Sequence, residues 1–277
     1  MEIPGYFISF DTTHDSYRTD MVRQVDQLMI CYAATVAYDG SSFAGWQKQS
    51  NAISIQEVFE DAVASVIGLS VSVTAAGRTD AGVHSKGQLV SFKLGKEWEE
   101  GKLLLALNAH LPPTVRVSRI RKVPERFNAR YSALWREYRY FVWHGNFCYP
   151  HIAGYVWWNR KFWDMDHVLK ACKILKGEHD FRAFCRVSEC PENCVRNIFC
   201  LKVCCIGNLT VFRIRGDAFL TNMVRIMIGN IDLIGTGKHD IGWLEELLSG
   251  KSRIYSGATA PASGLFLWSV GYDIFSS

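Results

Sequence analysis

The chain has 277 residues, 48% of them hydrophobic and 21% charged, with nine cysteines and a formal net charge of +4. That length accommodates one large core or two modest ones, and the composition is that of an ordinary globular protein rather than a disordered or fibrous one. No apolar run approaches the ~20 residues that a membrane-spanning helix needs, and the first residues lack the basic start and apolar core of a signal peptide, so the expected setting is cytoplasmic with no membrane partner.

Residues 1–28 show no structural period. Five acidic residues (Glu2, Asp11, Asp15, Asp20, Asp26) against Arg18 and Arg23 give them a net charge of −3, which leaves +7 on the rest of a chain carrying +4. They read as a flexible extension, with an added edge strand as the alternative. The basic remainder suits a polyanionic partner. Residues 29–38 form an apolar run that ends in Asp39-Gly40, a strand entering a turn. Residues 54–67 place apolar side chains at 55, 58, 59, 62, 63, 66 and 67, one helical stripe, with a Ser54/Glu57 capping box and Gly68 as the stop. A strand at 71–74 leads into a glycine-rich loop, and a strand at 88–94 leads out. A helix over 98–109 and a strand over 114–120 follow. Residues 137–143 alternate, which puts Tyr138, Tyr140 and Val142 on one face. A helix is expected over 166–175, ended by Gly177. A hairpin is expected over 197–206 and 209–214 around Gly207-Asn208. Two more helices are expected, over 219–234 and 241–248. Strands mixed with helices in each half point to an α+β protein, with halves at 29–133 and 134–277.

Cys185, Cys190, Cys194 and Cys200 lie close together, but they contain no C-x-x-C pair, and His167 and His179 stand at no familiar ligand interval. No metal is assigned, and the thiols read as free and mostly buried, with Cys204-Cys205 packed in a strand. The chain has no dinucleotide-type glycine fingerprint and no P-loop, so no cofactor is expected.

The loop at residues 75–84, reading AAGRTDAGVH, concentrates the chemistry. It sets Asp80 among small residues, with Arg78 two positions before it and His84 four after. Gly77 and Gly82 allow sharp turns or close approach of a ligand. If the segment is extended, Arg78 and Asp80 share a side, and the guanidinium would hold the carboxylate ionised and oriented. Such a carboxylate beside open space suits covalent or general-base chemistry at a sugar carbon. His84 reads as a structural loop histidine. Arg116, Arg119, Arg121, Lys122, Arg126, Arg130, Arg136 and Arg139, with Lys48 and Lys86, read as a track for phosphates.

This string resembles the hallmark motif of the TruA family of tRNA pseudouridine synthases, and the likeness continues in order along the chain. Tyr38-Asp39-Gly40 and residues 43–47 (FAGWQ) match the family's opening. Residues 108–112, 127–130, Ser132-Ala133 and the arginine–tyrosine strand at 136–140 follow. Residues 177–181, Arg196-Asn197, Met223-Val224-Arg225 with Gly229, and Gly264-Leu265 complete a likeness covering roughly 29–273. Thr221-Asn222 depart from the basic or aromatic residues common there.

The resemblance implies two halves whose antiparallel sheets merge into one central sheet, with helices on one side and the active-site cleft between the halves. It implies isomerisation of uridine to pseudouridine at positions 38, 39 and 40 of the tRNA anticodon stem-loop by a homodimer, without a redox cofactor. By the same resemblance Asp80 is the catalytic residue, Tyr138 contacts the flipped base, and Arg225 pairs with Asp80. Arg78 either holds Asp80 or enters the RNA stem. Val83, Val224 and Leu265 would keep water from the cleft. The alternatives are a non-catalytic tRNA-binding or folding protein on the same scaffold, and a nucleoside hydrolase, which would need a second carboxylate that the sequence does not supply.

Overall fold

The computed structural model describes residues 29–275, so the reading of residues 1–28 lies outside it. Among the described residues ten strands form one sheet. In chain order the elements are β1 (Ile30–Tyr38), α1 (Ile55–Ile67), β2 (Thr74–Ala75), β3 (His84–Leu94), α2 (Glu100–His110), β4 (Val115–Val123), β5 (Trp135–His144), α3 (Pro150–Ala153), β6 (Trp157–Asn159), α4 (Met165–Leu175), β7 (Gly177–Asp180), β8 (Val195–Ile206), β9 (Leu209–Gly216), α5 (Met223–Gly235), α6 (Ile241–Leu248) and β10 (Leu265–Gly271). The fold is α+β. The main strand order is β4-β1-β3-β10-β5-β9-β8-β7, with β2 on β3 and β6 on β5.

The local signals explain the best-formed elements. The Ser54 hydroxyl accepts the Glu57 amide at 3.2 Å and starts α1, and Gly68 closes it at φ 80°, a conformation that favours glycine. Helix α1 then buries Ile55, Phe59, Ala62 and Val63 from its predicted stripe.

The two halves join through the last strand, which the sequence reading did not identify as a strand. β10 lies antiparallel to β5 and parallel to β3, so the junction between the antiparallel sheets is itself a parallel pairing. One row of residues runs in register through seven of the ten strands, from β4 to β8: Val115, Tyr38, Ser85, Leu267, Tyr138, Ile214 and Leu201. All seven are buried. Cross-strand neighbours share a face, so the core under α1 and α2 and the core under α4, α5 and α6 lie on the same side. A smaller cluster, with Leu89, Phe127 and Tyr272, covers part of the opposite side.

Three expectations change. Helix α5 begins at Met223 rather than 219, because Asn222 adopts a left-handed conformation (φ 64°) that stops a helix from continuing backwards. The strand expected at 71–74 is confined to Thr74–Ala75. Cys204 and Cys205 are exposed at the hairpin end of β8 rather than buried in the strand, with the Cys205 thiol meeting Met165 of α4 and Thr210 of β9. No described helix is long and apolar enough to cross a membrane.

Candidate active site

A cleft of about 810 Å³ opens where the two halves meet. Asp80, Arg78, Tyr138, Arg130, Arg136, Phe219, Asn222, Val83, Val224 and Leu265 are among the residues that line it. Asp80 sits in the loop between β2 and β3, and its side chain is 28% exposed. The loop bends at residues 76–77 and turns at 81–82, and Arg78 does not pair with Asp80. Arg78 is exposed and makes no ion pair or hydrogen bond among the described residues.

The partner of Asp80 is Arg225. Its Nη1 donates to Asp80 Oδ2 at 3.1 Å and to Asn222 Oδ1 at 3.1 Å, while its Nε donates to the Ala260 carbonyl at 2.8 Å. Arg225 lies in the first turn of α5, 18% exposed. Two close approaches build this pair. A Cβ at Gly229 would overlap the Ala258 carbonyl oxygen, so glycine lets the segment bearing Ala260 lie on α5. Gly45 (φ 97°) would place a Cβ 2.7 Å from the Thr79 carbonyl, the group that accepts the Trp46 amide at 3.0 Å.

Burial pushes the Asp80 carboxyl above its usual range and Glu189 adds to this; Arg225, and more weakly Arg186, pull it back. The result is an oriented carboxylate poised in a partly dry cleft.

Tyr138 is 8% exposed and sets its ring edge-on to Phe219 at 5.0 Å. Burial first, then the Asp80 charge, push its hydroxyl up to about 12, so it stays protonated. That hydroxyl has no hydrogen-bond partner among the described residues and faces the cleft. Val83, Val224 and Leu265 are buried along the cleft wall.

The phosphate track does not form one strip. Alternation along β5 sends Arg139 to the opposite face, stacked over Trp268 at 3.9 Å beside the buried Glu137. Arg116 is turned onto the carbonyls of Leu111, Pro112 and Val115, and Lys122 pairs with Glu97 at 2.6 Å. Arg136 lines the cleft but donates to the carbonyls of Ala76, Arg130, Ala133 and Asp217, which makes it a strap between the halves. Of those ten cations only Arg130 and Arg136 line the cleft. Arg196 also lines it, and the sequence reading did not place it among the cations.

His84 is the first residue of β3 rather than a loop residue. Its Nδ1 accepts the Gly40 amide and its Nε2 donates to the Gly154 carbonyl, both at 3.1 Å, and burial lowers its pKa. Nδ1 also lies 3.2 Å from Asp39 Oδ1, so the ring ties Asp39, Gly40 and Gly154 together in a structural role. Among the described residues no group of three or more His, Cys, Asp or Glu side chains could hold a metal ion. Sequence reasoning missed Gln88, Tyr38 and Thr79 behind the Asp80 loop; the alternation that makes Gln88 the polar interruption of a buried strand was the available signal.

Comparison with known proteins sets this geometry in context. The tRNA pseudouridine synthase family matches residues 34–132 and 171–273. The chain belongs to that family. A tRNA pseudouridine synthase A from Beijerinckia indica is 40% identical over 243 residues, spanning 87% of this chain and 93% of that one. Its namesake from Aeromonas hydrophila is 39% identical, over 87% of this chain and 89% of that one. The Methylacidiphilum infernorum protein of the same name is 37% identical over 88% and 96%. Membership makes the chain an isomerase, and the cleft around Asp80 joins the two matched segments.

Proposed function

We propose that the chain isomerises uridine to pseudouridine at positions 38, 39 and 40 of the tRNA anticodon stem-loop, with Asp80 as the reacting carboxylate and two copies of the chain sharing the tRNA. The observation that carries this reading is the placement of Asp80. It is the one carboxylate of the Asp80 loop, it is held by the Arg225 guanidinium, and it shares the cleft with an unbonded tyrosine hydroxyl and the apolar side chains of Val83, Val224 and Leu265.

Uracil leaves C1′, turns, and rejoins through C5, whose proton is lost as N1 gains one, so no electrons are exchanged. Asp80 can serve this by attack at C1′, by attack at C6, or by taking a sugar proton to give a glycal. Each route needs the ionised carboxylate and each needs water kept from the detached base. Tyr138 supplies a ring against which an extruded base stacks. Arg78, exposed on the cleft rim and unengaged, enters the RNA stem and fills the space the base vacates.

Tritium release tests the site. Transcripts carrying [5-³H]uridine only at position 38, 39 or 40 release tritium; release only from transcripts labelled at other uridines contradicts the assignment.

The ion pair makes a pH prediction. Arg225 lowers the Asp80 pKa, so Arg225→Gln raises it further, and turnover that needs the carboxylate is lost at higher pH than before. The acidic limb of the single-turnover rate moves up by about 1–2 pH units, as expected for losing an adjacent opposite charge. An unmoved limb places the titrating group elsewhere.

A further inference from the structure

The Asp80 loop is tied down almost residue by residue. The Ala76 amide donates to the Leu89 carbonyl at 2.8 Å, and the Ala76 carbonyl accepts Arg136 Nη2 at 2.9 Å. The Gly77 carbonyl accepts Gln88 Nε2 at 2.6 Å. Thr79 is held twice, by Tyr38 through its hydroxyl at 2.9 Å and by the Trp46 amide through its carbonyl at 3.0 Å. The Asp80 carbonyl accepts the Val83 amide at 3.1 Å, and its carboxylate accepts Arg225. Arg78 alone in this run has no tie of its own.

Gln88 is an odd residue for its position. It pairs with Val36 in the buried centre of the sheet and is 0% exposed, yet its Oε1 has no hydrogen-bond partner. An unpaired buried carbonyl is costly, so an apolar side chain would be the cheaper filler. What the amide provides is the donation to Gly77.

A peptide unit is planar, so fixing the Gly77 carbonyl fixes the plane from which Arg78 departs. Downstream, the Trp46 amide holds Thr79 and Arg225 holds Asp80 without Gln88, although the Gln88 side chain also neighbours the Tyr38 hydroxyl that meets Thr79. We infer that Gln88 is a positioning residue for Arg78: it sets the Gly77–Arg78 peptide so that the guanidinium is aimed into the cleft before RNA arrives. This rests on the reading of Arg78 as an RNA-contacting residue.

A double-mutant cycle tests it, with kcat and KM for tRNA measured on wild type, Arg78→Ala, Gln88→Met and the double variant. Arg78→Ala lowers kcat/KM by about 100-fold, as loss of a charged contact made to the RNA should. Gln88→Met lowers it by about tenfold, the loss of one hydrogen bond. The double variant is no worse than Arg78→Ala, because Gln88 has nothing left to aim. A further tenfold loss in the double variant overturns the role of Gln88 while leaving that of Arg78 standing. Arg78→Ala at wild-type efficiency overturns the reading of Arg78 itself. If Gln88→Met melts at too low a temperature to assay, Gln88→Asn, one methylene short of Gly77, enters the same cycle with the same expectations.

Discussion

Asp80→Asn abolishes pseudouridine formation while tRNA binding survives. Asparagine keeps the shape of the side chain and an oxygen for Arg225 Nη1, so the 3.1 Å contact and the loop around it persist. Arg225 also retains the Ala260 carbonyl and the Asn222 side chain, so no guanidinium is stranded. What disappears is the negative charge, and with it any attack or proton abstraction. Loss of a reacting group of this kind costs at least about 10,000-fold in turnover. Affinity changes by no more than about threefold, because Asp80 contributes little to phosphate binding. Tritium release and filter binding on the same preparation give both numbers; turnover near wild type removes Asp80 from its assigned role.

The second large effect is at Tyr138. The ring is buried at 8% exposure against Phe219, at the point where the register row from both halves reaches the cleft. Base–aromatic stacking is worth about 1–3 kcal/mol per base, and here it is gained only once the base has left its helix. Tyr138→Ala therefore lowers turnover of bound RNA by about 100-fold and changes affinity by less than about fivefold. Truncating a buried ring also costs about 3–5 kcal/mol of stability, so Tyr138→Phe is the companion variant. It keeps the ring and removes only the unbonded hydroxyl, and stays within about tenfold of wild type. If affinity collapses in Tyr138→Ala while bound RNA reacts normally, stacking is the wrong role. If Tyr138→Phe falls as far as Tyr138→Ala, the hydroxyl and not the ring is what matters.

These residues were legible in the sequence to different depths, for physical reasons. Helix α1 could be read because its signals are local: a capping serine, an apolar stripe and a stop glycine within fifteen positions. β10 could not, because a short seven-residue strand with both neighbours distant in sequence acquires its place only from pairing with β3 and β5. The start of α5 was misread because Phe219 and Leu220 continue the apolar stripe; those side chains are apolar because they line the cleft, and Asn222 breaks the helix between them and Met223.

At the site, the resemblance pairs Arg225 with Asp80, and the structure gives it that carboxylate. Arg78 was ambiguous because its geometry relative to Asp80 depends on whether the loop is extended, which neither residue identity nor spacing decides. The arginines between 116 and 139 looked like one surface because density along the chain was read as density in space. Strand alternation and turns then dispersed them: Arg139 to the back of the sheet, Arg116 onto its own carbonyls, Arg136 into the seam. Gln88 illustrates the opposite failure. Alternation marks it as a polar residue on a buried face, but the hydrogen bond that gives it a role runs to a backbone carbonyl eleven positions away, which no period reveals.

The most direct measurement is nucleotide-resolution mapping of pseudouridine in tRNA from cells that lack this chain, complemented with either wild type or Asp80→Asn at equal expression. The wild-type chain restores pseudouridine in the anticodon stem-loop and the Asp80→Asn chain restores none. Restoration by both would show that the carboxylate is dispensable and that the scaffold acts by binding or folding tRNA rather than by rearranging its bases.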